Sequence, residues 1–274
     1  MLWRAVDTGE NSGAVNMAID EAIMAAVKAG KAPPTLRFYG WNPATLTLGY
    51  FQKAAAEIDL ARCQEKGIAV VRRMTGGRAV LHDQEVTYSM IVSETEPNIP
   101  RTITASYHYF SQGLLRGLKK LGIDAQLTMP RAAYSQRRKE HSSAACFDAP
   151  AQYEITVAGA KLVGSAQVRK HGVILQHGSI LLDFSPEDLG ALLRVDSEEM
   201  RQRLTKLLGN SVTALRKLQR RQTTYEEVCE ALCGGFSQAL DFQLVPGVLT
   251  AEEIAASKRL VQEKYSQAAW NLRR

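Results

Sequence analysis

The stretch YEITVAGAKLVGSAQVRKHGVILQHGSILLDF, Tyr153 to Phe184, decides how the chain folds. Its apolar and β-branched residues come in runs, YEITV, KLVGSAQVRK and GVILQHGSILLDF, the first two separated by the small turn residues AGA. Runs of this composition bounded by turn signals read as consecutive strands. From Pro186 onward the spacing of apolar residues becomes helical. Strands followed by helices predict an α+β, that is mixed α/β, fold built on a largely antiparallel sheet flanked by helices. A hairpin about AGA would pair Lys161 near Val157.

Working outward, Leu2–Thr8 forms a first strand, and NSGAVNMAIDEAIMAAVKAG reads as a helix that Asn11 or Ser12 can cap and Gly30 can stop. That helix is apolar over most of its circumference, so it is expected to be buried, with Asp20 and Glu21 marking a wet edge. Short strands are expected at Thr35–Tyr39 and Leu46–Tyr50, and a helix near Glu57–Lys66. Two β-rich segments, AVVRRM and VTYSMIVS, bracket the glycine loop TGGRAVLHD, although alternation in VTYSMIV is imperfect. Tyr107, Phe110, Leu114, Leu118 and Leu121 recur at helical spacing and predict a core-facing stripe. The segment MPRAAYSQRRKEHSSAACFDAP, Met129–Pro150, has no period, and a loop of that length tends to be functional or mobile. With no internal repeat and no linker, residues 1–274 read as one domain with a short helical tail.

The 274 residues are 45% hydrophobic, enough for a sizeable core. No run approaches the ~18 apolar residues of a membrane span, and MLWRAVDTGENSG lacks the basic start and apolar core of a secretory signal, so a cytoplasmic protein is expected. Cys63, Cys146, Cys229 and Cys233 form no CxxC pair and have no His-rich neighbourhood, which argues against a disulfide framework or a metal site. Cys229 and Cys233, four apart, read as small apolar groups half-buried on one helix. A net charge of +6 favours an acidic partner, and charge alone does not choose between nucleic acid and protein.

Four constellations could carry chemistry. In VVRRMTGGRAVLHD, Val70–Asp83, a strand runs into Gly76-Gly77 and returns through His82. Its amides could approach a carbonyl or phosphate oxygen with Arg72, Arg73 and Arg78 nearby; equally, it could be a glycine hairpin with solvated arginines. In AGAKLVGSAQ, Gly164 and Ser165 leave room against the sheet, while a lysine such as Lys161 at a strand start is by default an exposed edge charge. His177 and Gly178 interrupt the apolar QHGSILL, where a satisfied buried histidine is the default. Cys146 follows a loop carrying Arg137, Arg138, Lys139 and His141, and a nearby cation activates a thiol by favouring the thiolate.

RRMTGGRAVLHD, KLVGSAQ and QHGSILL, with NMAIDEA and WNPATLTLGYFQ before them, together resemble the biotin/lipoate protein ligase and octanoyltransferase family over nearly the whole chain. The resemblance implies that family's mixed α/β catalytic fold over residues 31–248 with a helical tail over 249–274, and an acyl pocket lined by the Gly-Gly loop and the lysine strand. It assigns substrate binding to Arg73, Gly76, Gly77, His82, Gly164, Ser165, His177 and Gly178. ATP-dependent ligases of the family carry a third glycine where this chain has Arg78, and usually append an accessory domain for which the tail here is too short. Another octanoyltransferase branch keeps its cysteine just before the last His-Gly, where this chain reads GVILQHGS. ACFDAPAQYE is instead similar to the branch that moves octanoate from acyl carrier protein to the H protein of the glycine cleavage system, or another lipoyl domain. By that resemblance Cys146 is the acyl-thioester nucleophile and Lys161 lowers its pKa, with no cofactor, metal, nucleic acid or membrane involved and a monomer expected. An amidotransferase between lipoyl domains, an ATP-using ligase and a non-catalytic acyl-binding module are the competing expectations.

Overall fold

In the computed structural model, residues 2–128, 154–219 and 221–273 are described. The chain opens with β1 (Leu2–Asn11) and enters α1 (Gly13–Lys28), whose N-terminus is capped by the Ser12 hydroxyl accepting from the Val15 amide at 3.4 Å. Gly30, at φ 67°, carries the chain away from it. Next come β2 (Thr35–Trp41), β3 (Thr45–Leu48), and two short helices, α2 (Ala54–Glu57) and α3 (Leu60–Glu65), where one helix was expected. β4 (Ala69–Arg72), β5 (Val80–His82), β6 (Glu85–Ser93), α4 (Ile103–Lys120) and β7 (Gln126–Thr128) follow. Cys146 and its loop, Met129–Pro150, lie outside the described residues. The chain continues through β8 (Glu154–Val157), β9 (Ala160–Lys170), β10 (Val173–Leu181), α5 (Pro186–Leu192), α6 (Glu198–Ser211), α7 (Leu215–Leu218) and α8 (Tyr225–Leu240). It ends with β11 (Gln243–Pro246), α9 (Ala251–Leu260), a π-turn at Val261–Tyr265, and α10 (Ala268–Asn271).

Eight strands form one sheet in the order β11-β1-β2-β6-β10-β9-β8-β7, parallel only where β1 meets β11 and β2. A second sheet has the order β4-β3-β5. The mixed, largely antiparallel architecture expected from the strand runs is therefore the one formed. VTYSMIV alternates poorly because β6 is buried on both faces: Tyr88 and Met90 look into the main core, and Ile91 packs beneath α1.

Helices α4 and α8 cover the first face, bringing Phe110, Leu114 and Leu118 against Val228, Leu232 and Phe236. These two helices cross without side chains between their backbones, because a Cβ on Gly235 would stand 2.3 Å from the Gly117 amide nitrogen. Helix α1 and the second sheet cover the opposite face, and the pocket opens between them and the large sheet. The C-terminal segment packs back on this side: α9 lies along α1, and Arg4 grips Glu253 through two hydrogen bonds of 2.9 and 2.6 Å.

The β8–β9 hairpin turns through Ala158 and Gly159, both at positive φ (49° and 83°), as a two-residue type I′ turn requires. Lys161 pairs with Thr156, one residue from the expected partner. The next ladder pair is Ile155 with Val163, so β9 spends one extra residue, Leu162, against a single step of β8. This is a β-bulge, and it reverses the alternation of faces. Leu162 and Val163 both enter the main core, and Lys161 turns to the opposite face, the pocket face.

Candidate active site

The pocket face is set by register. His177 and Ser179 of β10 stand opposite Ser89 and Thr87 of β6 and opposite Ala166 and Gly164 of β9. Met17 from α1, Tyr39 and Trp41 from β2, and Val80 from β5 supply the apolar walls. The cavity is small, about 70 Å³ of space open to a water-sized sphere, and about 510 Å³ when its solvent-filled mouth is included. Of the expected binding residues, Arg73, Gly77, His82, Gly164, Ser165, His177 and Gly178 all line it. Gly76 does not, but its carbonyl is held by Arg73 at 2.9 Å. Ser165 turns its hydroxyl to the far face, where it meets the Tyr88 hydroxyl at 2.8 Å. Gly178 is required there too, since a Cβ would stand 2.9 Å from the Tyr88 ring.

The polar groups around this pocket are bonded to one another in two similar chains that meet at Arg73. In the first, Asp20 lies beside His177 Nδ1 at 3.4 Å, His177 Nε2 meets the Thr75 hydroxyl at 2.7 Å, and Thr75 accepts from Arg73 Nε at 3.1 Å. In the second, Glu85 meets His82 Nδ1 at 2.8 Å, His82 Nε2 meets the Thr47 hydroxyl at 2.9 Å, and Thr47 accepts from Arg73 Nη1 at 3.0 Å. Each Nδ1 faces a carboxylate, which can only accept, so the proton of each neutral imidazole is assigned to Nδ1 and each Nε2 accepts from a threonine hydroxyl. The remaining Arg73 donors hold the carbonyls of Gly76 and Arg78 at 2.9 and 2.7 Å. Gly77, at φ 95°, allows this approach, because a Cβ there would lie 2.8 Å from Arg73 Nη2.

The solvated-arginine alternative for the glycine loop fails for Arg72 and Arg73, which are buried, while Arg78 is half-buried. The loop is not a simple hairpin either, because β3 lies between β4 and β5. Trp41 completes the wall, stacking on His82 at 4.0 Å between ring centroids and donating Nε1 to Thr87 at 2.7 Å. With these side chains bonded to one another, Met17, Tyr39, Trp41 and Val80 leave the cavity a mainly apolar lining, which suits an apolar chain; Glu85 Oε2, behind the wall, is buried without a hydrogen-bond partner among the described residues.

Asp20 is the residue that the sequence places wrongly. It is 1% exposed rather than at a wet edge, and it accepts from Arg37 Nη1 at 2.7 Å and Ser89 at 2.9 Å and from Tyr39 at 3.2 Å. Burial works to raise its pKa, but the Arg37 guanidinium and His177 outweigh it and leave the carboxyl below its ordinary range. His177 is pushed below the usual histidine value by burial, with Arg73 and His82 adding in the same direction against Asp20. Glu21 does sit at the margin, where Lys264 and the Tyr265 hydroxyl reach it at 2.6 Å each.

Lys161 is likewise not the exposed edge charge of the default expectation. It is 3% exposed, and Nζ donates to Glu154 Oε1 at 2.7 Å, on the same face of the sheet. Three residues separate it from Gly164, roughly 10 Å along the strand. The three described cysteines offer no nucleophile: burial pushes the Cys63 and Cys233 thiols up to about 11 and Cys229 higher still. Cys229 and Cys233 lie half-buried on α8, packed beside the main core as their spacing predicts.

Two sheets flank the cavity, and a buried arginine clamps the glycine loop at its edge. The chain belongs to the lipoyl protein ligase A/B catalytic-domain family, whose model matches residues 12–237. The octanoyltransferase LipM of Kyrpidia tusciae is 52% identical to it over 272 residues, 99% of each chain. The octanoyltransferase LipM of Bacillus subtilis is 44% identical over 273 residues, 99% of this chain and 98% of that one. Among solved structures, a bipartite lipoate protein ligase from Thermoplasma acidophilum superposes with a TM-score of 0.81 at 27% identity, covering 99% of this chain and 95% of that one. A lipoate-protein ligase A bound with ATP gives 0.78 at 27% identity, covering 99% of both.

Proposed function

We propose that this protein is an octanoyltransferase of lipoate biosynthesis that carries the acyl group on Cys146. The observation that carries the reading is the full-length similarity to octanoyltransferases, at 44–52% identity, in a chain that buries Lys161 on the pocket face of the sheet, three positions along β9 from the Gly164 that lines the pocket. The donor is octanoyl-acyl carrier protein, and the acceptor is a lysine of the glycine cleavage H protein or another lipoyl domain.

The octanoyl chain lies among Met17, Tyr39, Trp41, Val80 and Ala166, which present it only carbon surface or satisfied polar groups. The Cys146 thiol gives its proton to solvent and attacks the thioester carbonyl as the thiolate; a new C–S bond forms, the donor C–S bond breaks, and the carrier leaves as a thiolate that takes up a proton from solvent. The acceptor lysine, as a neutral amine, then attacks the S-octanoyl carbonyl; the amide C–N bond forms, the C–S bond to Cys146 breaks to release the thiolate, and the proton shed by the amine passes to solvent. The first step exchanges one thioester for another and the second ends in a more stable amide, so ATP is not required. Lys161 favours the thiolate by its charge, and with the amides of Gly76 and Gly77 it can donate to the tetrahedral oxyanion. Glu154 fixes the direction in which the ammonium points.

Mass spectrometry of the protein mixed with octanoyl carrier protein tests this directly. One octanoyl adduct, absent from Cys146→Ala and discharged by an acceptor domain without ATP, is the expected result. Transfer that requires ATP and survives Cys146→Ala would instead assign ligase chemistry.

A further inference from the structure

Between Met200 and Thr224 the sequence holds seven basic residues and not one acidic residue. Outside this segment acidic residues outnumber basic ones, 28 to 27, so the +7 of the segment more than accounts for the chain's positive excess of +6; the helix α6 itself opens on two acids, Glu198 and Glu199, before its basic residues begin. Several of these charges are already engaged. Arg201 donates to the carbonyls that end α5, Arg216 pairs with Asp183 at 3.1 Å, and Arg221 pairs with Glu227 at 2.6 Å. Arg203 and Lys206 on α6 and Lys217 on α7 are exposed and form no ion pair with any described residue.

Helix α6 buries Leu204 and Leu208 and turns the rest of its surface outward. Met200 and Leu207, one heptad apart on that outer surface, are 45% and 44% exposed and stand beside Arg203 and Lys206. Apolar side chains set among unpaired cations make a surface that gains little from water alone. This surface also leads to the site. Val212, just past the end of α6, bridges to Lys161, and the Thr213 amide donates to the Lys161 carbonyl at 2.9 Å. Measured along the helix, Lys206 is about 9 Å and Arg203 about 14 Å from Val212.

We propose that the outer face of α6, continued by α7, is the docking surface for the acidic carrier protein that delivers the acyl thioester. Arg203, Lys206 and Lys217 steer an acidic partner to this face, and Met200 and Leu207 give it apolar area to bury once it arrives. The docked carrier presents its thioester at the pocket because the helix ends on the peptide of Lys161. The assignment rests on the transfer reading above.

The test is the triple variant Arg203→Glu, Lys206→Glu, Lys217→Glu, with Met200→Ser, Leu207→Ser as a second variant. Circular dichroism and melting temperature check that both fold. Steady-state transfer is measured with octanoyl carrier protein and, separately, with octanoyl-pantetheine, a thioester without a protein. The expected result is a rise of roughly tenfold or more in KM for the carrier protein in the charge-reversed variant, a flatter dependence on ionic strength, and unchanged kinetics with octanoyl-pantetheine. The second variant should weaken carrier binding through a faster off-rate. An unchanged KM for the carrier, or a rise only in KM for the acceptor domain, overturns the proposal. Direct titration of the carrier protein separates the two readings: wild type that transfers from octanoyl-pantetheine without binding the carrier sinks the docking surface alone. Wild type that binds the carrier through α6 but transfers nothing sinks the octanoyltransferase reading.

Discussion

At the scale of residues, Asp20 controls the pocket from behind its wall. Its carboxylate joins Arg37, Tyr39, Ser89 and His177, so one charge fixes groups from α1 and three strands. Asp20→Asn leaves the Arg37 guanidinium buried without its counter-charge, which should cost about 3–5 kcal/mol in urea denaturation. His177 makes a pH prediction with a definite sign. Its pKa in the folded protein lies below its ordinary 6.5, so below that pH the unfolded chain takes up a proton that the fold resists. Stability is therefore level above about pH 6.5 and falls as the solution is acidified through it; His177→Gln should flatten that part of the melting-temperature profile. For the reaction, Lys161→Met should lower kcat by roughly 10²–10³-fold and move alkylation of Cys146 to higher pH, and it should also lower the melting temperature, because Glu154 loses its partner. The sequence betrays Asp20 only weakly, as an acid in a helix that is otherwise apolar nearly all round. Nothing local betrays the burial of Lys161, because it depends on a strand that pairs with β9 from seven residues away.

Among the elements, α4 shows which patterns a sequence carries and which it does not. Its stripe of Phe110, Leu114 and Leu118 repeats every turn and is buried as that spacing requires, because burial of a helix face depends mainly on its own period. The closeness of α4 to α8 has no such period; it depends on Gly113 and Gly117 meeting Gly235 across more than a hundred residues. Gly235→Ala places a methyl where the facing backbone already stands, and overpacking of about 1–3 kcal/mol should lower the melting temperature by several degrees. The bulge at Leu162 was hidden for a similar reason. KLVGSAQ reads as an unbroken strand, and only the two-residue turn at Ala158-Gly159, combined with pairing to both β8 and β10, forces the extra residue. The glycine loop was legible as a loop, but the insertion of β3 between β4 and β5, which gives Thr47 its place beside His82 and Arg73, comes from chain topology.

For the molecule as a whole, the first and last parts of the chain support the same site. Arg72, next to the Arg73 that holds the glycine loop, donates to the carbonyls of Trp270 and Arg273 at 3.2 and 2.9 Å and, through its amide, to Asn271 Oδ1 at 3.0 Å. Trp270 returns a bond from Nε1 to the Arg72 carbonyl at 2.9 Å. A chain shortened to end at Gln267 loses these partners, and about 1–3 kcal/mol for each buried group left unsatisfied should appear as a lower melting temperature together with a higher KM for octanoyl-pantetheine. The positive balance of the sequence favours an acidic partner without saying where it would land, because net charge carries no position. The clasp on Arg72 also orders events during synthesis. Proteins emerge from the ribosome N-terminus first, and Trp270 follows Arg72 by 198 residues. A nascent chain can therefore pair its early strands well before the clasp that steadies the glycine loop has been made.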